Sequence, residues 1–264
     1  MELAGASVLV TGGAGGIGAA IARAVAAAGA RGVLVADLDA DGAEVVAAEL
    51  TALGTPAVGR GVDVADGAEV AAMVAAAEAA FGGVDVVVSN AGVGTGEGVE
   101  APLAAWEHTY AVNVLAHVHA ARAALPGMLA RGRGAFVHTC SAAGLLTLPG
   151  DAPYTVTKHA AVAFAEWLAV AYGARGIQVH ALCPLGVDTA MLADADEHGL
   201  AGRAVRASGA VLTSEQVAAE VVQALTGGRF LILPHPEVAD HLRGKVADHD
   251  RWIAALQHVT TALG

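Results

Sequence analysis

The stretch Ser7-Val8-Leu9-Val10-Thr11, running into Gly12-Gly13-Ala14-Gly15-Gly16-Ile17-Gly18, limits the possible folds of this chain more than any other. A short β-branched run that ends in glycines, after which Ile17, Ile21 and Val25 recur at helical spacing, reads as strand, tight turn and helix. The helix ends near Ala28, where Gly29 supplies a stop. A second apolar run, residues 32–37, follows directly, so the helix is a crossover between parallel strands. A chain that opens this way builds a sheet with helices packed on it.

The alternation continues. Asp39-Ala40-Asp41 caps a helix to about Leu53, residues 57–62 form a third strand, and Asp66 starts a helix to about Phe81. Residues 84–88 are an unbroken apolar run, as in a parallel strand buried on both faces, and end at Ser89-Asn90-Ala91-Gly92. The pattern then predicts a long helix over residues 103–130, bent near Pro126-Gly127, a fifth strand over 135–140, a helix over 154–172 and a sixth strand over 177–182. Residues 185–210 read as loop. A helix over 214–225, a seventh strand over 230–233 and a helical tail over 237–260 complete the chain. The expected fold is α/β: one Rossmann-like, doubly wound parallel sheet of about seven strands with helices on both faces, in a single domain spanning residues 1–264.

Composition narrows the function classes. A net charge of −12, with no cluster of Lys and Arg, argues against nucleic acid or an anionic membrane surface as partner. The two cysteines, Cys140 and Cys183, make neither a disulfide framework nor a zinc motif and read as reduced thiols. Apolar stretches are interrupted by glycines and polar residues, so none reads as a membrane span, and no secretory signal is recognisable at the start. A cytoplasmic location is the default expectation.

Glycines at the turn from first strand to first helix let a backbone approach phosphates closely, and the helix N-terminus offers free N–H groups to the anion. Asp37, at the end of the second strand, suits adenosine ribose hydroxyls and would repel a 2′-phosphate, which favours NAD over NADP. Asp63, with Val64, is placed at the adenine edge, a loop cap being the other reading of the aspartate. Tyr154 and Lys158 stand four apart on one helical face, with Pro153 at the first helical position. A phenol titrates near ~10, and a neighbouring ammonium draws that value toward the working range, which makes an acid/base pair.

These motifs, together with Asn113 and Ser141, resemble the short-chain dehydrogenase/reductase family in its single-domain form, and the resemblance covers nearly the whole chain. It implies hydride transfer between a nicotinamide and a carbonyl or alcohol carbon. In that scheme Tyr154 moves the proton of the reacting oxygen and Ser141 hydrogen-bonds that oxygen. Lys158 lowers the tyrosine pKa and holds the nicotinamide ribose, and Asn113 holds a water that links Lys158 to solvent. Gly12, Gly16, Ile17 and Gly18 would cradle the pyrophosphate, and Asn90, Ala91 and Gly92 would end the fourth strand against the cofactor. Val187 and Thr189 would contact the nicotinamide carboxamide. Leu185 departs from the family pattern, which has glycine after the proline that is Pro184 here. The resemblance also points to a homodimer or homotetramer.

Gly94, Leu145, Leu146, Leu148, Met191 and Leu192 are expected near the substrate, which suggests an apolar secondary alcohol or ketone, with residues 188–210 as lid. His235, His241 and His249 match no zinc spacing, and no metal is expected. Two other classes stay open. A nucleotide-sensing or scaffold protein would not need the acid/base set, and an NAD-dependent epimerase or dehydratase usually carries a larger C-terminal domain.

Overall fold

The computed structural model describes residues 1–264, except for the side chains of residues 196–198. Its elements in chain order begin with β1 (Ser7–Thr11), α1 (Gly16–Ala27), β2 (Gly32–Asp37), α2 (Ala40–Ala52), β3 (Ala57–Gly61), α3 (Gly67–Phe81) and β4 (Val86–Ser89). There follow α4 (Leu103–Tyr110), a π-helical turn (Ala111–Leu115), α5 (Ala116–Arg131), β5 (Gly134–Thr139), α6 (Ala152–Tyr172) and β6 (Ile177–Leu182). The chain ends with β7 (Gly186–Val187), α7 (Ala190–His198), α8 (Leu200–Ser208), β8 (Val211–Leu212), α9 (Ser214–Gly227), β9 (Leu231–Ile232), α10 (Glu237–Ala247) and α11 (His249–Leu263).

Seven strands form one sheet in the order β3-β2-β1-β4-β5-β6-β9, with every pairing parallel. The period-2 alternation of a strand sorts its side chains between the two faces. Val8, Val10, Val33, Val35, Val86 and Val88 face the apolar layer under α1, α2 and α9. Leu9, Leu34, Val87 and Phe136 face the layer under α3, α5 and α6. Helices on both faces explain why these strands read as unbroken apolar runs. Order reverses between β1 and β4, which opens a crevice at the carboxyl ends of the strands.

Several expectations need correction. The long helix is interrupted at Ala111–Leu115 and not at Pro126, which lies inside α5. Burial of Ala121, Ala124 and Met128 around the proline holds that stretch helical. Ala152, capped by Asp151, is the first residue of α6, so Pro153 is its second. The segment read as loop contains α7 and α8, and β7 pairs with β8 as a separate two-stranded ribbon. The tail is two helices, because Asp248 leaves helical geometry and caps α11 through Arg251 N–H. Among the described residues no helix is long and apolar enough to cross a membrane.

Candidate active site

The turn after β1 is packed so tightly that side chains are excluded. Gly12 has φ +63°, and a Cβ there would lie 2.9 Å from the Ala91 Cα. One on Gly18 would collide with the Gly12 carbonyl oxygen. Asn90 ties this turn to the neighbouring strand ends: its amide donates to the Thr11 and Gly12 carbonyls (3.1 and 3.2 Å) and accepts from the Thr139 hydroxyl at 3.0 Å. α1 then begins with no capping side chain and no acid in its first turn, whereas Asp39, Asp66 and Thr213 cap α2, α3 and α9. An uncapped helix N-terminus behind a glycine cradle is where a pyrophosphate fits. The Asp37 carboxylate accepts from Ala14 N–H at 3.0 Å and Asp39 N–H at 3.1 Å, which fixes it beside this turn with lone pairs left for a ribose. The residues present therefore fit a dinucleotide.

A cavity of about 1000 Å³ joins this turn to the acid/base residues. Gly12, Gly16, Ile17, Asp37, Asn90, Ala91, Gly92, Ser141, Tyr154, Lys158, Val187 and Thr189 all line it. Gly18 lies beneath the turn as a packing glycine, and Asn113 is fully buried behind the wall. Asp63 and Val64 follow the end of β3, next to Asp37, whose carbonyl accepts from Val62 N–H at 2.8 Å, and neither lines the cavity. Asp63 is exposed and closes its own loop by accepting from Ala65 N–H at 2.9 Å, and Val64 is buried in the core.

Ser141 ends β5 at φ 68° and ψ 152°, a region that glycine alone occupies at ease. Among the described residues it is the only non-glycine with positive φ. α6 then brings in Tyr154 and Lys158. The Lys158 ammonium donates to the Thr139 carbonyl at 2.8 Å and stands 5.4 Å from the centre of the Tyr154 ring. Glycine at 92 makes room for it, since a Cβ there would be 3.1 Å from Lys158 Nζ and 3.2 Å from Asn113 Oδ1. Asn113 grips the strand end above: its Oδ1 accepts from Val93 N–H and its Nδ2 donates to the Val93 carbonyl, both at 2.9 Å. A third bond, to the Thr157 hydroxyl at 3.1 Å, completes the side chain's engagement.

The electrostatics differ from the simple picture of an ammonium lowering a phenol. Burial pushes Tyr154 up to about 12, with the Ser141 hydrogen bond acting in the opposite direction and Asp151 adding to the rise. Burial also pushes Lys158 down to about 8. Desolvation is the largest cause of both shifts, because both charged forms leave water. Beneath the site, His117 and His138 face each other with their Nδ1 atoms 3.0 Å apart, and burial pushes His138 down to about 3. His235 is a hydrogen-bonding bridge, its Nδ1 accepting from Leu185 N–H and its Nε2 lying 3.1 Å from the Ala210 carbonyl oxygen. Leu185 sits at ordinary φ and so needs none of the freedom of the glycine it replaces.

Of the expected substrate residues, Gly94, Leu146, Leu148, Met191 and Leu192 line the cavity, while Leu145 packs behind them. Two contributions escaped the sequence. Asp151 is buried and accepts from Thr95 N–H, the Thr95 hydroxyl, Gly96 N–H and Tyr154 N–H, joining the loop after β4 to the start of α6. Its signal was an aspartate three residues before Tyr154, an N-cap spacing. The second is α11, whose Trp252, Leu256 and Val259 line the cavity.

Comparison with known proteins gives the same picture. The chain is 36% identical over 258 residues to a 1-deoxy-11-beta-hydroxypentalenate dehydrogenase of Streptomyces exfoliatus, covering 96% of this chain and 92% of that one. It superimposes with a TM-score of 0.85 and 32% identity on a short-chain dehydrogenase/reductase from Burkholderia phymatum crystallised with NAD, covering 95% and 96% of the two chains. A short-chain type dehydrogenase/reductase from Mycobacterium marinum gives 0.80 at 27% identity, over 88% of this chain and 94% of that one. The model of the short chain dehydrogenase family matches residues 6–199. With that match lying over the glycine turn, Asn113, Ser141, Tyr154 and Lys158, the chain belongs to the short-chain dehydrogenase family of oxidoreductases.

Proposed function

We propose that this protein is an NAD-dependent oxidoreductase that interconverts a secondary alcohol and its ketone, with an apolar substrate. The observation that carries this reading is that Ser141, Tyr154 and Lys158 share one cavity with the glycine turn and Asp37. NAD, when bound, supplies the hydride acceptor or donor. The choice of NAD over its 2′-phosphorylated form rests on the Asp37 carboxylate, which would repel a phosphate dianion. The relative from Burkholderia phymatum was crystallised with NAD, and the name of the Streptomyces exfoliatus relative gives a hydroxylated compound as what it dehydrogenates.

The chain's own residues handle the proton and the orientation. The neutral phenol of Tyr154 gives its proton to a carbonyl oxygen during reduction and becomes the phenolate, and in oxidation that phenolate, favoured by the positive charge of Lys158 against the cost of burial, takes the hydroxyl proton. Ser141, fixed by its strained backbone, hydrogen-bonds the same oxygen. Lys158 holds the nicotinamide ribose and places positive charge beside the phenol. Asn113 clamps the wall behind Lys158. Its side chain is occupied by Val93 and Thr157, so the relay water falls to the second lone pair of its backbone carbonyl, which also faces His117. Val187 and Thr189 hold the nicotinamide carboxamide, and α7 with α8 forms the lid over the substrate.

The test is a screen of alcohols and ketones with NAD and NADP, following absorbance of the reduced nicotinamide, in wild type and Tyr154→Phe. The variant loses one hydroxyl and little shape, so turnover should fall by roughly 10²-fold or more while NAD binding persists. Wild-type turnover in the variant would remove Tyr154 from the mechanism.

A further inference from the structure

α11 lies beyond the residues that match the family model, and none of its residues is buried. Its packing partners are α8 and α10. Trp252, Ala255, Leu256 and Val259 nevertheless form a stripe at i, i+3, i+4 and i+7, and all four line the same cavity as the catalytic residues. The stripe is held in place at its base. Trp252 packs with Leu242 against a small buried cluster of Ala142, Leu146 and Val238, of which Ala142 directly follows Ser141 in the chain. Lys245, on α10, donates to the Leu145 carbonyl at 2.8 Å. An apolar stripe that is firmly anchored yet unburied, facing a large cavity, still has apolar surface to lose from water when the cavity fills.

Charge narrows what can fill it. Among the described residues of the wall, the charged side chains are Asp37, Asp151, Asp194 and Lys158, and no arginine is present. Lys158 is already bonded to the Thr139 carbonyl. A substrate with a carboxylate, sulfonate or phosphate would meet the Asp151 carboxylate and no uncommitted lysine or arginine among the described residues of the wall.

We propose that α11 is the specificity wall of the substrate site and that Trp252, Leu256 and Val259 select a neutral, bulky apolar alcohol or ketone. The inference rests on the oxidoreductase reading above. It is tested with NAD and a graded set of alcohols: 2-propanol, cyclohexanol, decahydro-2-naphthol, 2-adamantanol and an adamantanol bearing a carboxylate. The wild type should prefer 2-adamantanol to 2-propanol by kcat/KM, and to its carboxylated analogue, by roughly 10-fold or more in each case. Trp252→Ala and Leu256→Ala should each reduce the ratio of kcat/KM for 2-adamantanol over 2-propanol by about 10-fold. Ala255→Trp, at an exposed position where folding tolerates a larger side chain, should fill the cavity and reduce the same ratio. Ratios that do not move in all three variants, or equal use of the carboxylated alcohol, would overturn the wall while the dehydrogenase reading stands. Absence of NAD-linked turnover on every alcohol by the folded wild type would overturn both.

Discussion

Ser141 holds its hydroxyl in the cavity at a cost, because a side chain at φ 68° and ψ 152° is strained by about 1–3 kcal/mol. Two substitutions separate strain from chemistry. Ser141→Ala and Ser141→Gly both remove the hydroxyl, and both should lose turnover by roughly 10²-fold. Only glycine relaxes the backbone, so Ser141→Gly should be the more stable of the pair by about 1 kcal/mol in thermal or urea melts. Equal stabilities would mean that the backbone there is not strained. Lys158 carries a second cost, set by pH. Its folded-state value of about 8 lies below the ordinary 10.5, so folding favours the neutral amine. Stability from this group is then present above the unfolded value and is lost as pH falls through about 8. Lys158→Met buries no charge. It should be more stable than wild type at pH 7, with that advantage shrinking as pH rises from about 8 toward 10.5. Parallel stability profiles for the two proteins over that window would contradict the assignment.

At the scale of elements, the candidate cofactor end of the site is one strand-turn-helix unit closed by the next strand, and the proposed preference for NAD rests on the carboxylate at the end of β2. Asp37→Ala should narrow the ratio of kcat/KM for NAD over NADP by roughly 10-fold or more, since a charge repulsion and a ribose hydrogen bond are both removed. Equal use of both cofactors by the unmodified protein would refute the reading of Asp37. This end was legible in the sequence because its signals are local: glycines that no side chain could replace, and an acid one strand further on. The buried strands were legible for the same reason, as apolar runs packed on both faces. The π-helical turn around Asn113 was not, because one extra residue in a turn leaves no mark on periodicity in an alanine-rich helix. The two short helices α7 and α8 were hidden by Gly199 and Gly209 at their ends, which mimic a loop. The role of α11 was out of reach, since its periodicity reveals an apolar face but not what that face meets.

At the scale of the whole molecule, one surface remains unexplained by a single chain. Along α6, Val156, Trp167 and Val170 are 52%, 59% and 86% exposed, and with Ala163 they form one outer strip. Leu103, Tyr110 and Leu115, from α4 and the π-helical turn, are also exposed, and α4 packs against α6. A monomer gains nothing from such a surface, and contiguous apolar patches of this kind mark interfaces. The C-terminal tail does not cover it, because α11 packs on α8 and α10 at the mouth of the cavity. We therefore expect a homo-oligomer, dimer or tetramer, in which α4 to α6 of two copies pack across a two-fold axis. The strip would then meet its own copy, with Ala163 allowing close approach beside Trp167. Trp167→Glu places a charge at the centre of that contact and should shift the protein toward monomer, while Val99→Glu, at an exposed site outside these helices, should not. Light scattering on dilute wild-type protein decides the point. A mass above the 26.0 kDa of one chain that falls in Trp167→Glu supports the interface, and the monomer mass for wild type would refute it.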